Sequence, residues 1–296
     1  MSNLSLYLTS VLIWGSTWLA ITFQYGKVAP EVSVAYRFAL AAAILMGWCL
    51  ARRMRMRFAP AQHGWIALQG ALMFGANYVL VYLAEQRIPS GLMAVIFSLL
   101  AVLNLLGARV FFRTPVRMGA LFGTAVGIAG VALVCLPRAS FGGGASFRAG
   151  FLFAIAATVI SSLSNLLSQR NQRGGIPVMQ GNAFGMLYGA GFVALYCLVA
   201  GRPFTLDLSA RYLGSLAFLS LFGSVLAFGA YLTLIGRIGA GRAGYAMVAI
   251  PIVALVLSTL FENLHWEWTL ALGAGLCLAG NFLVLPKAPK PAEAAA

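Results

Sequence analysis

Acidic side chains are nearly missing from this chain: Asp and Glu together number six in 296 residues, and charged residues of all kinds make up only 9%. Soluble domains carry about 25% charged and roughly 45–50% apolar residues, whereas 61% are apolar here. A water-soluble fold of this composition would expose large apolar patches and aggregate. Disorder is excluded as well, because disordered chains are poor in apolar residues. Cysteine is scarce: Cys49, Cys135, Cys197 and Cys277 fall singly in four separate hydrophobic runs without CxxC spacing. That rules out a disulfide-stapled secreted domain and leaves small buried thiols as the expectation. The only histidines, His63 and His265, sit beside Trp65 and Trp266 at the ends of runs, where interfacial residues belong. No phosphate-binding glycine loop with a lysine occurs, so ATP is not expected as a driver. Neither a catalytic group, a metal site nor a cofactor is implied.

What the sequence has in abundance is long apolar runs. Charges and Pro/Gly clusters punctuate them into spans near 4–23, 32–50, 64–84, 90–111, 117–136, 149–169, 178–200, 212–234, 242–261 and 268–286. A spanning helix needs about 20 apolar residues. The runs are apolar all round and continuous, unlike surface helices or the alternating strands of a porin. The expected fold is an all-α integral membrane protein with ten transmembrane helices. No Lys or Arg precedes Lys27, so the first run lacks the basic start of a cleaved signal peptide and reads as a retained span. The tail 287–296 (KAPKPAEAAA) reads as disordered.

The net charge of +14 then needs no nucleic acid. Basic residues gather in cytoplasmic loops of membrane proteins. With both ends inside, the inner segments hold Arg52, Arg53, Arg55, Arg57, Arg109, Arg113, Arg117, Arg170, Arg173, Arg237, Arg242, Lys287 and Lys290, while the outer loops hold Lys27, Arg87, Arg138, Arg148, Arg202 and Arg211. The bias places the N- and C-termini in the cytoplasm.

Sliding the chain over itself by 150 residues reveals an internal repeat: Arg87/Arg237, Gly91/Gly241, Phe111/Phe261, Gly123/Gly273 and Gly130/Gly280 coincide. The units expected are a first five-helix repeat at 1–137, a linker at 138–148, a second repeat at 149–286 and the tail at 287–296. Five is odd, so the halves enter the membrane in opposite directions. Inverted repeats of this kind build many secondary carriers, with the substrate at their interface near the midplane.

Trp14-Gly15-Ser16-Thr17-Trp18, then Pro30, Arg37-Phe38, Pro251, Glu262, Gly273 and Gly280, occur in an order that resembles the EamA family of the drug/metabolite transporter superfamily across essentially the whole chain. Within it, the chain is most similar to the YddG-type bacterial exporters of aromatic amino acids. The resemblance implies export of aromatic and other hydrophobic or neutral amino acids across a bacterial inner membrane. The first repeat departs from the pattern, with Ala101 and Phe112 in the slots of Pro251 and Glu262.

A pocket for such substrates combines apolar walls with a few polar groups. At helical spacing, Phe74, Asn77, Tyr78, Val81 and Tyr82 share a face of the third span, and Trp14, Thr17 and Trp18 one of the first. Ser161, Ser164, Asn165 and Ser168 form a polar strip in the sixth, Ser224, Phe228 and Tyr231 mark the eighth, and Ser98 and Tyr245 are the candidates of the fourth and ninth. Each could instead be ordinary helix packing. Arg37, the one basic residue inside a span, either meets a substrate carboxylate or snorkels and bonds helix-end carbonyls. No carboxylate is placed at mid-depth, so facilitated diffusion or exchange is favoured over proton coupling. Glu85 is the remaining candidate for coupling, with a local surface ion pair as its simpler role. The four-residue glycine spacings at 119–127 and 181–189 fit close packing within one subunit, which favours a monomer. Pro251 could bend the ninth span. Carriers of other hydrophobic metabolites or drugs, and a lipid-handling protein, stay open as alternatives.

Overall fold

Proline opens the second and third helices at their first positions, Pro30 and Pro60, where its missing N–H has no helical partner to lose. From these and similar starts the described residues build ten helices in series. They are α1 Asn3–Thr22, α2 Pro30–Ala51, α3 Pro60–Glu85, α4 Ser90–Phe112, α5 Met118–Pro137, α6 Gly144–Arg173, α7 Val178–Val199, α8 (residues 210–243), α9 Tyr245–Phe261 and α10 Trp268–Val284. This computed structural model describes residues 1–113, 115, 118–137, 144–243 and 245–284, with the side chains at 135–137, 239–242, 245, 247, 248, 281 and 284 left aside. All ten expected spans are found as helices. Seven are long and apolar enough to cross a bilayer by themselves, and the described parts of α5, α9 and α10 are shorter apolar helices.

Two helices depart from regular geometry at matching places. A π-helical turn interrupts α3 at Ala71–Ala76 and α8 at Leu219–Leu226. In the latter, Ser224 Oγ donates to Leu219 O, five residues back. Such widened turns recur at functional sites. Helix α4 breaks at residues 98–99, where the Ser98 N–H is shared between Ala94 O and Val95 O.

Inter-helix packing repeats itself across the halves. Helix α5 packs on α10 and α2 on α7; α1 against α9 is mirrored by α6 against α4, and α1 against α8 by α6 against α3. The contacts also fix direction. Helix α6 begins where α3 ends, with Gly150 against Arg87 and Ile88, and it finishes where α3 begins, Asn171 Nδ2 donating to Gln69 Oε1 at 2.8 Å. Arg237 late in α8 reaches Met1 O at 2.9 Å, and the Ser215 hydroxyl early in α8 reaches Ala20 O at the end of α1. Thus α1 starts on one face and α6 on the other: the five-helix units are antiparallel.

The face opposite the N-terminus is tied by polar contacts between loops. Arg202 pairs with Glu31 at 3.5 Å and Lys27 with Asp207 at 3.7 Å, while Thr205 Oγ1 donates to Lys27 O. The Ser209 amide holds the half-buried Asp207 carboxyl below its ordinary range. The outer surface is studded with large apolar side chains such as Val199 and Trp268, 82% and 71% exposed, which is the surface a bilayer requires.

Glycines permit the closest helix pairs. A Cβ on Gly130 would lie 2.6 Å from Gly273 O and 2.7 Å from Cys277 N, and one on Gly280 would lie 2.4 Å from Gly127 N. These obstacles are backbone and cannot yield. Gly130→Leu is therefore expected to cost about 1–3 kcal/mol or more by overpacking, seen as a lower unfolding midpoint in detergent. Gly119→Ala, with nothing within 4 Å of the new Cβ, should leave that midpoint unchanged.

Candidate functional site

Where the repeats face each other at mid-depth, packing is incomplete. A chamber opens between α1, α3, α4, α6, α8 and α9, lined by Trp14, Thr17, Trp18, Ile21, Asn77, Tyr78, Val81, Ala94, Phe97, Ser98, Leu100, Ser161, Asn165, Phe228, Tyr231 and Ile250. The space between these side chains is about 630 Å³, open solvent at its mouth included, and little of it admits a water molecule. The chamber is thus narrow, and a bulky guest would have to displace side chains. No charged side chain is among the lining residues.

Both repeats contribute from equivalent positions: Tyr78 and Phe228, like Leu100 and Ile250, stand 150 residues apart. The walls are largely aromatic. Trp14 meets Phe228 edge-on at 4.9 Å and Tyr231 at 5.0 Å, Trp18 meets Phe97 at 5.3 Å, and Tyr78 meets Phe228 at 6.2 Å. Such edge-to-face contacts set the rings in fixed orientations. Trp14 Nε1 is anchored on Gly223 O at 3.1 Å, in the widened turn of α8. Three polar atoms of the lining residues lack any hydrogen-bond partner: Trp18 Nε1, Asn77 Oδ1 and Tyr231 OH. Buried polar atoms are seldom left so, and the residues that line the chamber thus carry an unspent indole N–H, amide oxygen and phenol hydroxyl.

Of the residues singled out in the sequence, Trp14, Thr17, Trp18, Asn77, Tyr78, Val81, Ser98, Ser161, Asn165, Phe228 and Tyr231 come together around this chamber. Others lie behind its wall. Phe74 is fully buried between Phe38 and Phe228, at 5.2 and 5.0 Å. Ser164 is turned back on Ile160 O of its own helix at 2.7 Å. Tyr82 donates to Gln24 Oε1 at 2.7 Å and receives Arg37 Nη1 at 3.5 Å, and Ser224 Oγ receives Arg37 Nε at 3.0 Å. The side chain of Tyr245 lies outside the described residues. Ile21, Ala94, Phe97, Leu100 and Ile250 line the chamber without having been singled out, because an apolar residue in an apolar span carries no distinguishing signal.

Two expectations need correction. Arg37 neither snorkels nor bonds helix-end carbonyls. It is 0% exposed, its guanidinium lies 4.5 Å from the Tyr78 ring centroid, and its bonds are to the hydroxyls of Ser224 and Tyr82. The aromatic faces and hydroxyls of α3 and α8 offer a nearer partner than either membrane surface. Glu85, 7% exposed, does not form a surface ion pair with Arg87. It accepts from Tyr25 OH at 3.2 Å, while Arg87 donates to Leu83 O and lies 5.3 Å from the Phe153 ring centroid.

A central chamber between antiparallel five-helix repeats is the architecture on which many membrane carriers are built. The profile of the EamA-like transporter family matches residues 1–136 and again 148–285. The chain belongs to that family. It is 28% identical over 253 residues to the "Uncharacterized inner membrane transporter YedA" of Escherichia coli (strain K12), covering 84% of this chain and 79% of that one. It is 25% identical over 289 residues to the "Probable terminal-alkyne amino-acid exporter" of Streptantibioticus cattleyicolor, covering 93% and 90%. A crystal structure with 22% sequence identity shares the fold over 95% of this chain and 96% of its own, with a TM-score of 0.72. The protein is thus a multi-pass membrane protein of a transporter family.

The Tyr82 hydroxyl joins Arg37 to Gln24 in a wholly buried setting. Tyr82→Phe would strand Gln24 Oε1 and Arg37 Nη1, a loss of about 1–3 kcal/mol for a buried group left unpaired. The expected outcome is a measurably lower denaturation midpoint of the purified protein in detergent.

Proposed function

We propose that this protein is a carrier that exports aromatic and other hydrophobic or neutral amino acids from a bacterial cytoplasm across the inner membrane by alternating access. The observation that carries the reading is the aromatic chamber with its unpartnered Trp18 Nε1, Asn77 Oδ1 and Tyr231 OH. A zwitterion in a low-dielectric space must have both charges satisfied. A neutral hydroxyl, amide and indole do this weakly, which suits a carrier that must release what it binds. The rings of Trp14, Tyr78 and Phe228 would receive the side chain. The relative from Streptantibioticus, named for an amino acid, supports the substrate class.

The chamber wall holds no carboxylate, which favours facilitated or exchange transport over proton coupling. It also holds no paired nucleophile and base, which favours a carrier over an enzyme. Arg52, Arg53, Arg55, Arg57, Arg170 and Arg173 stand on the face that carries the N-terminus, and that face is assigned to the cytoplasm by the positive-inside rule. The chain is taken to act as a monomer, since Gly130, Gly273 and Gly280, like Gly70, Gly185 and Gly189, pack within it. A mainly apolar wall also fits other hydrophobic metabolites or drugs, the second reading.

Purified protein in liposomes should catalyse counterflow of labelled phenylalanine, with the same initial rate whether or not a pH gradient is imposed. Tyr78→Ala should lower that rate about tenfold while the elution profile in detergent stays that of the wild type. Uptake of a lipophilic cation driven by the pH gradient, with no phenylalanine counterflow, would replace the amino-acid reading by the drug reading.

A separate check concerns orientation. A cysteine introduced at Arg55 should be labelled by a membrane-impermeant thiol reagent only in inside-out vesicles, and one at Arg202 only in whole cells made permeable at the outer membrane. The reverse pattern would invert the assignment.

A further inference from the structure

Arg37 is a cation with no anion. It is 0% exposed, and among the described residues no carboxylate lies within ion-pair distance of it: the ion pairs are Lys27 with Asp207 and Arg202 with Glu31, both toward the opposite face. Its Nε bonds the Ser224 hydroxyl and its Nη1 the Tyr82 hydroxyl, but Nη2 has no partner. The nearest acid in its hydrogen-bonded surroundings is Glu85, reached only indirectly, since Tyr25 OH bonds both Glu85 and the Tyr82 carbonyl. A buried charge left unpaired is costly, and within a membrane it marks a functional site.

Where Nη2 lies is the informative part. A Cβ built on Gly223 would sit 3.2 Å from Arg37 Nη2 and 2.8 Å from Thr17 Cγ2. Residue 223 has no side chain, and this lets the widened turn of α8 pack directly against the guanidinium and Thr17, with no room left there for a methyl group. Thr17 and Tyr78, whose ring lies 4.5 Å from the guanidinium carbon, both line the chamber. The unpaired nitrogen stands one layer behind the wall that these two residues form. The second repeat has no counterpart: aligning the helix starts Pro30 and Val178 sets Gly185 in the slot of Arg37, and Gly185 packs on Gly70 and Phe74 instead. Packing alone is served by glycine at that slot, so the guanidinium needs another reason.

We propose that Arg37 is the anion subsite of the chamber. It holds the carboxylate of the substrate at the wall formed by Thr17, Tyr78 and Gly223, and it restricts the carrier to compounds that bear one. Arginine is suited to this, being always charged and offering a planar fork to carboxylate oxygens. The inference rests on the amino-acid reading for the rest of the ligand and adds the requirement for the acid group.

Three probes sharing one phenyl ring separate the terms: phenylalanine, phenethylamine, which lacks the carboxylate, and 3-phenylpropionate, which lacks the ammonium. Their binding to the full-length protein in detergent is read by the ligand-induced shift of its unfolding midpoint. The wild type is expected to bind phenylalanine and 3-phenylpropionate at least about tenfold more tightly than phenethylamine. Arg37→Gln should abolish that preference and Arg37→Lys should retain part of it. If Arg37→Gln does not fold, the wild-type series and the lysine variant still decide the matter. Equal binding of phenethylamine and phenylalanine to the wild type, or a preference for acids that persists in Arg37→Gln, overturns the anion subsite while leaving an aromatic-substrate chamber in place. If none of the three binds the wild type, both readings fall together.

Discussion

The chamber can stay hollow because the helices around it are held elsewhere by contacts of backbone on backbone. The pair α5 and α10 meets at Gly123, Gly127, Gly130, Gly273 and Gly280, and α3 meets α7 at Gly70, Gly185 and Gly189. In a bilayer there is no hydrophobic force between apolar helices, so close van der Waals approach has to supply their association. Glycine allows the axes to come near enough for that. Concentrating these contacts in the α5–α10 and α3–α7 pairs leaves the helices around the chamber free to meet imperfectly. Their incompletely packed middle is the feature on which any transport by this protein depends.

Antiparallel repeats give the chamber two equivalent sides, and the side chains then break the equivalence. Position 78 is a tyrosine and its counterpart 228 a phenylalanine; the first helix presents Trp14 and Trp18, the sixth presents Ser161 and Asn165. A backbone close to two-fold symmetric can exchange its two conformations at little difference in energy, while an asymmetric lining can still hold an asymmetric molecule in one orientation. The two widened turns, Ala71–Ala76 and Leu219–Leu226, sit in matching helices next to this lining. They displace the following residues around the helix axis, which is how Asn77 and Tyr78 come to face the same space as Phe228.

The polar groups divide by depth. The ion pairs Lys27–Asp207 and Arg202–Glu31 lie at the face opposite the N-terminus; the exposed Lys27 is screened by water and its pair is weak, whereas Glu31 is buried in the first turn of α2. Deeper, the contacts are hydroxyl, amide and aromatic, with Arg37 as the exception. Glu262 illustrates the boundary: at the end of α9 it accepts from Ser90 of α4 and Ser258 of its own helix, joining the two repeats at the rim and not at the centre.

Hydrophobic length and the 150-residue repeat were enough by themselves to determine that this chain forms ten membrane-spanning helices in two inverted units, because span length is set by the bilayer and an odd number of spans per repeat inverts the second. Helical spacing also picked out the faces bearing Trp14, Asn77, Tyr78, Phe228 and Tyr231, since polar and aromatic residues stand out in an apolar span. Only the tertiary structure decided what those faces meet. Phe97 and Ile250 line the chamber while Phe74 lies behind it, a distinction that turns on helix rotation and on the π-helical turns. Arg37 found its neighbours on α3 and α8, far along the chain, and Glu85 found Tyr25 instead of the adjacent Arg87. Pairings across helices depend on the directions in which side chains leave packed backbones, and no one-dimensional spacing encodes those directions.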